Sequence, residues 1–300
     1  MQKLSDGRPI IYGEVLFDCF PDGTSVLGGA PFNVAWHLQG FGLNPLMISS
    51  VGDDETGHTV LRTMKHWNMD TSGIQVSKSF PTGQVKIEIN EGEPSYDILA
   101  HQAYDNISFN NISSNFDNEQ CSLIYHGSLI RRESASRDAL QQLVSQCKLP
   151  VFVDINLRPP WWQIEDVRTV LHTAQFVKLN IHELAAVMDL PSIGKTDYQA
   201  LSKQCFSQYD LELLIVTLGE EGAFLISTEG IIEGTPVMAK HFVDTVGAGD
   251  SFSAVIIAGL AKQLPIKLLL QRALEFSAAI CEIRGATTTN RALYDSFLEN

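Results

Sequence analysis

Along most of its 300 residues the chain alternates short, β-branched apolar runs with longer segments of helical period. Residues 46–51, 123–125, 151–155, 176–179 and 212–218 read as strands, with 223–227 a further one, and 55–67, 133–147, 164–173, 181–188 and 197–208 read as helices. Strands separated by helices pair in parallel, with the helices packed on both faces. The expected fold class is α/β, a doubly wound, mostly parallel sheet of Rossmann-like form, followed by a mainly helical end.

One stretch breaks this rhythm. In 82–90, Val85, Ile87 and Ile89 alternate with Gln84, Lys86, Glu88 and Asn90, the period of a half-exposed strand. Glu91-Gly92-Glu93-Pro94 turns the chain and 95–104 returns, giving a hairpin that stands apart from the main layer. Near the N-terminus, 9–20 reads as one strand ending at the turn Pro21-Asp22-Gly23, with a short strand after it. We expect a single domain over 1–300, with a small β lid formed by about 14–29 and 82–105 inserted in the α/β core. Exposed lid strands invite a partner, so a homodimer through the lid is expected as well.

Composition narrows the function classes. Twenty-one Lys and Arg against 35 Asp and Glu give a net charge of −14 with histidine neutral, and no basic run exceeds Arg131-Arg132. A protein that grips nucleic acid needs a basic face, so neither nucleic acid nor a membrane surface is an expected partner. The longest apolar-rich stretch, 254–261, contains Gly259 and falls far short of the ~20 residues that span a bilayer. The N-terminus lacks the apolar stretch of a signal peptide. Cys19, Cys121, Cys147, Cys205 and Cys281 form no C-x-x-C pair, which fits reduced thiols in the cytoplasm.

The strongest local signal is Asp244-Thr245-Val246-Gly247-Ala248-Gly249-Asp250-Ser251-Phe252, followed by the apolar Ala254, Val255, Ile256, Ile257 and Leu260. A small-residue loop that opens a helix presents backbone N–H groups, and the helix N-terminus adds partial positive charge, so the two together suit an anion. Asp250 at its mouth can accept the proton of an attacking hydroxyl while these amides stabilise charge on a transferring phosphoryl group. The plainer alternative is a tight turn at Gly247 and Gly249 with Asp250 capping the helix. Two familiar phosphate motifs are absent: position 252 is Phe where a dinucleotide fingerprint needs glycine, and Gly194-Lys195-Thr196 has Asp189 where a P-loop needs its first glycine. Upstream, Asp18 closes a strand and Gly28-Gly29-Ala30-Pro31-Phe32-Asn33 opens a helix. A carboxylate and a carboxamide at such a point suit polyol hydroxyls, although a helix entrance with an internal cap would look the same.

Gly28-Gly29-Ala30-Pro31-x-Asn33-x-Ala35, with Gly42 and Gly52 after it, resembles the N-terminal signature of the ribokinase-like (PfkB) carbohydrate kinases, and 244–250 resembles their C-terminal signature. Lys178-x-Asn180-x-x-Glu183 is similar to the family's N-x-x-E element, and Val216-Thr217-Leu218-Gly219-Glu220-Glu221-Gly222-Ala223 to its nucleotide loop, so the resemblance covers nearly the whole chain. It implies a kinase that transfers the γ-phosphoryl of Mg·ATP to a monosaccharide hydroxyl. Carried over by position, it makes Asp250 the general base and the amides of Gly247, Ala248 and Gly249 the anion hole. Asp18, Gly29 and Asn33 would hold the sugar, and Asn180 and Glu183 would stand around Mg2+ and its waters. Thr217, Gly219 and Gly222 would lie near ATP, and Asp244 and the Val246 carbonyl match positions that bind a monovalent cation such as K+ in some relatives. Asn180 and Glu183 also have the spacing of a capping box, and the two readings are compatible.

Residues 13–23, 95–98 and 154–162 resemble fructokinases more than ribokinases, which makes fructose the leading substrate. Arg158 stands just past the C-terminal end of a strand, where open α/β sheets place ligands. It would meet ATP phosphates or an acidic sugar there, or be a surface arginine in a proline-rich turn. Kinases of 2-keto-3-deoxygluconate share a similar Asp-x-Asn-x-Arg stretch, so that sugar acid is the runner-up. A non-catalytic sugar sensor is the reading from another class, and the intact Asp250, glycine loop and Asn180/Glu183 pair argue against it. Val255 and Ile155 depart from the family pattern without removing a catalytic group. The eight histidines show no ligand spacing, and structural roles are expected for them. An acidic chain that binds ATP needs a local positive pocket, here the helix end at 247–249, magnesium and Arg158.

Overall fold

The computed structural model describes residues 4–90, 93–113, 120–190, 198–295 and 297. Its first third holds β1 (Arg8–Tyr12), β2 (Leu16–Cys19), β3 (Ser25–Gly28), α1 (Ala30–Gly40), β4 (Leu46–Gly52), α2 (Glu55–His66), β5 (Ile74–Ser77), β6 (Gly83–Asn90) and β7 (Glu93–Ile98). The middle holds α3 (Phe109–Ser113), β8 (Cys121–Gly127), α4 (Ser134–Cys147), β9 (Val151–Asp154), α5 (Ile164–Leu171), β10 (Phe176–Asn180) and α6 (Ile181–Val187). The last third holds α7 (Tyr198–Gln208), β11 (Leu213–Thr217), β12 (Ala223–Ser227), β13 (Gly230–Glu233), α8 (Ala248–Ala261), α9 (Ile266–Ile280) and α10 (Arg291–Asp295). The turn at Glu91-Gly92 and the Gly194-Lys195-Thr196 stretch lie outside the described residues.

Nine strands form one sheet in the order β13-β12-β11-β10-β9-β8-β1-β4-β5. Pairing is parallel from β5 to β11, and β12 and β13 return antiparallel at the edge. Alternation along each strand feeds two cores. Tyr125, Phe152, Phe176 and Ile215 face α1, α8 and α9, while Val153, Val177, Leu179 and Val216 face α5, α6 and α7. Strands buried on both faces are expected of a parallel sheet covered by helices. A second, four-stranded sheet, β3-β2-β6-β7, stands apart from the first.

The expectation of one strand over 9–20 is corrected: β1 enters the large sheet and β2 the small one. The break falls at Gly13, where a Cβ would lie 2.2 Å from Pro31 Cγ, so the close approach of α1 turns the chain there. The returning strand expected over 95–104 stops at Ile98, and 103–106 form a single 3-10 turn. Arg132 holds that segment against the body. Its Nε and Nη2 donate to the two oxygens of Asp105 at 2.8 and 2.7 Å, and Nη2 also donates to the Leu99 carbonyl at 2.6 Å. The guanidinium lies 4.5 Å from the Trp161 ring centre and 5.1 Å from that of Tyr104. Strands β5 and β13 were not legible in the sequence, because each is a four-residue edge strand, with one buried position in β5 and none in β13.

His37 is buried, with Nε2 2.9 Å from the Ala286 carbonyl and Nδ1 3.1 Å from the Tyr294 hydroxyl. Burial pushes its pKa down to about 4, so it is a neutral structural group. The Arg132–Asp105 pair is 2% and 1% exposed. Removing one member of such a pair leaves a buried charge uncompensated and costs about 3–5 kcal/mol. Urea unfolding of Asp105→Ala should show a stability loss in that range, whereas an exposed pair such as Arg62–Glu55 should tolerate Glu55→Ala with little change in the midpoint.

Candidate active site

Helix α8 is buried along its length from Ser251 to Leu260, and its N-terminus opens at the C-terminal ends of the parallel strands. Gly247 caps it at φ +77°, and a Cβ there would fall 2.4 Å from the Ala286 Cβ, so glycine is required on both counts. The Ala248 amide bonds the Thr245 carbonyl at 3.2 Å and closes the loop, while the Ser251 amide already bonds Gly247. The amides of Gly249 and Asp250 in the first turn remain as the donors that a helix leaves unpaired. Of Gly247, Ala248 and Gly249, the residues expected to offer amides to an anion, Ala248 has its amide engaged with Thr245 in this conformation.

Asp250 accepts a 2.8 Å hydrogen bond from Asn33 Nδ2, which joins the two glycine-rich helix starts. Burial raises the Asp250 pKa to about 6, and Asp154 adds to this, while the Asn33 bond, Lys178 and Arg158 oppose it. Lys178 is the site's buried cation. Register pairs it with Asp154 on the neighbouring strand, and its Nζ donates to both Asp154 oxygens at 2.8 and 2.7 Å. Ser253 and Tyr125 also donate to Asp154 Oδ2, at 2.8 and 3.3 Å. A Cβ on Gly249 would stand 3.5 Å from Lys178 Nζ, so the ammonium group lies against the first turn of α8. Neither Lys178 nor Asp154 was singled out from sequence for a role. The available signal was a Lys and an Asp set in otherwise apolar strands.

On the other side, Asp18 lies in β2 with Oδ2 3.5 Å from where a Gly28 Cβ would stand, and Asn33 Oδ1 lies 4.0 Å from the same point. Burial raises the Asp18 pKa and Arg158 partly offsets it. Gly29 caps α1 at φ +106°, and a Cβ there would meet the Glu14 carbonyl oxygen at 2.8 Å. Asn33 Oδ1 is buried without a hydrogen-bond partner. Glu14 was also missed. It is 4% exposed, its Oε2 has no partner, and burial with the field of Asp250 pushes its pKa to about 7. Arg158 is exposed in the turn after β9, and among the described residues no carboxylate lies within ion-pair distance of it. It still influences Asp18, Glu14 and Asp250 through space.

Asn180 and Glu183 form the capping box. Asn180 Oδ1 accepts from the amides of His182 and Glu183, both at 2.9 Å, and Glu183 Oε2 accepts from the Asn180 amide at 2.8 Å. Glu183 Oε1 accepts from the Leu157 amide at 2.8 Å, tying α6 to the turn that carries Arg158. Thr217 ends β11 as the register partner of Asn180. Gly219 (φ +63°) and Gly222 (φ +94°) bracket a tight turn at the same sheet end. Asp244 accepts from the amides of Val246 at 2.8 Å and Gly285 at 3.3 Å, which clasps the loop before α8.

The chain matches the pfkB family of carbohydrate kinases over residues 19–293 and belongs to that family. It is a sugar kinase of ribokinase-like fold. It is 27% identical to probable fructokinase-6, chloroplastic, of Arabidopsis thaliana, over 97% of this chain and 82% of that one. It is 25% identical to the 5-dehydro-2-deoxygluconokinase of Geobacillus thermodenitrificans, over 87% and 78% respectively. The crystal structure of a Vibrio cholerae fructokinase with fructose, ADP and calcium ion bound matches with a TM-score of 0.81 at 24% identity, over 98% of this chain and 99% of that one, which shows the shared fold.

The Asp250 carboxyl carbon, followed by NMR, should titrate near pH 6 rather than near its unfolded value of about 4. Asn33→Ala removes a donor to the ionised form and should move that midpoint higher. Because folding raises this pKa, the associated stability is present below about pH 4 and is lost as pH rises through about 6. Asp250→Asn should flatten that part of the stability curve.

Proposed function

We propose that this sugar kinase phosphorylates fructose with ATP and that Asp250 is its general base. The observation that carries the reading is the Asn33–Asp250 bond, which fixes a carboxylate at the open N-terminus of α8 beside the Gly28-Gly29 entrance. Asp18, Gly29 and Asn33 would hold the sugar, with the unpartnered Asn33 Oδ1 accepting from one of its hydroxyls. A primary hydroxyl held against Asp250 would lose its proton to that carboxylate as it attacks the γ-phosphorus. The amides of Gly249 and Asp250, with Lys178 against the same helix turn, would take the charge that develops on the transferring group.

Thr217, Gly219 and Gly222 would flank the nucleotide and Arg158 its phosphates. Among the described residues no group of three or more His, Cys, Asp or Glu could hold a metal directly, and both Glu183 oxygens already accept backbone amides. That donor set fits magnesium held mainly by the nucleotide phosphates, with its waters toward Asn180 and Glu183. Magnesium would supply neutralisation of phosphate charge. Asp244, with the Val246 carbonyl, would serve a monovalent cation such as K+.

The small sheet would close as a lid. Register sets Asp18 beside Val26, and Ile87 beside Tyr96, so the exposed Val26 and Tyr96 share the face that carries Asp18. Closing this apolar face over the sugar excludes water that would otherwise hydrolyse ATP. The remaining apolar area would join a second copy, giving a homodimer. We place the enzyme in the cytoplasm, in keeping with its five free thiols. A sugar acid is the second reading, favoured by Arg158, which lacks an ion-pair partner among the described residues.

A coupled ADP-release assay over fructose, 2-keto-3-deoxygluconate, ribose and nucleosides tests the substrate. Activity confined to the sugar acid would overturn fructose, and activity with none would favour a sensor. With the preferred sugar, kcat/KM should rise with pH through about 6 as Asp250 ionises. Asp250→Asn should lower kcat by ~10²–10⁴-fold while sugar binding and fold are retained; near-normal turnover would sink the assignment of the base.

A further inference from the structure

A cavity of about 220 Å3 lies between the segment after β8, strand β9 and the segment leading into α5. It is separate from the cleft that holds Asp250. Asp154 points to Lys178 and α8, and its neighbours Val153 and Ile155 line the cavity from the opposite face of the sheet. Trp161 and Trp162 form an apolar wall. Arg131 and Arg132 both reach the cavity, and both are buried.

The two arginines are not equivalent. Arg132 is committed to Asp105 and the Leu99 carbonyl, with only Nη1 left without a partner. Arg131 is 7% exposed, its Nε is buried without a partner, and among the described residues no side-chain hydrogen bond or ion pair satisfies its guanidinium. Asp166 also lines the cavity and acts on Arg131 through space, beyond ion-pair distance, and Arg137 opposes it. A buried cation without a partner is costly. Its planar fork matches a carboxylate or phosphate in bidentate geometry.

We propose that this cavity is a second ligand site, for a small organic anion whose carboxylate or phosphate pairs with Arg131 while its carbon skeleton lies against Trp161 and Trp162. The volume is below the ~300–1,000 Å3 of pockets for drug-sized ligands, so the skeleton is a few carbons long. An occupant touches the turn in which the Trp161 amide bonds the Arg158 carbonyl at 2.8 Å. It also touches Arg132, which holds the base of the small sheet. The site therefore reaches the sugar side of the active site from behind the large sheet.

The probes are phosphoglycolate, glycolate and inorganic phosphate, titrated by calorimetry with Mg·ADP saturating so that the helix end at 247–249 is covered. Phosphoglycolate should bind one to one, and Arg131→Met should weaken it at least tenfold. Tighter binding of glycolate or of phosphate identifies which end Arg131 takes. Because methionine removes a buried unpaired charge, the variant should melt at or above the wild-type temperature in anion-free buffer and lose the rise in Tm that the probe causes. Its kinase activity without anion should be unchanged. Failure of all three probes to bind, binding undiminished in Arg131→Met, or a lower melting temperature in that variant would overturn the proposal.

Discussion

Helix α8 has no polar side to turn toward water, since every residue from Ser251 to Leu260 is buried. A helix apolar all round must lie inside the protein, and here it is enclosed by α1, α9 and the large sheet. Its N-terminus then opens at the strand ends, at the border between that apolar interior and the cleft, with Asp250 half-buried and Gly249 exposed. Low polarity strengthens the pull of the unpaired amides on an anion, and it also resists ionisation of Asp250. The same burial holds the Asp250 pKa at about 6, a value that would suit the proton acceptor proposed above.

The large sheet was legible because strands covered by helices on both sides are apolar, and the chain alternates them with helical segments. The two glycine-rich helix starts were legible for a related reason: glycine pairs ahead of an apolar helix mark where backbone must come close to something. Partnerships across the sheet were not legible. Lys178 and Asp154 meet because β9 and β10 pair in one particular register, and sequence alone does not state register. Glu14 was hidden by an error of topology, since it lies where the supposed single strand over 9–20 leaves one sheet for the other. Arg132 was hidden likewise, because the segment it holds reads locally as the end of a strand.

The net charge of −14 looks ill suited to a polyanionic cosubstrate, and the site itself gathers Glu14, Asp18, Asp154 and Asp250. Burial resolves much of the conflict. Asp154 is matched by Lys178 at hydrogen-bond distance, and Glu14, held at about 7, carries only part of its charge near neutrality, whereas Asp250, at about 6, is mostly ionised there. The cleft need not be rich in cations to receive a phosphate group, because part of its own negative charge is suppressed and its positive end is made of backbone.

The small sheet is joined to the body where all four of its strands enter or leave it. Strand β2 follows the Gly13–Glu14 turn beneath Gly29, β3 runs into α1, β6 follows Thr82, whose amide and hydroxyl donate to Asp54, and β7 leads to Leu99, gripped by Arg132. A plate clamped along one end bends most at the other. Any movement of the sheet is therefore graded along its strands, largest at the exposed turn 21–23 and smaller at Asp18 in β2, which stands nearer the clamped end.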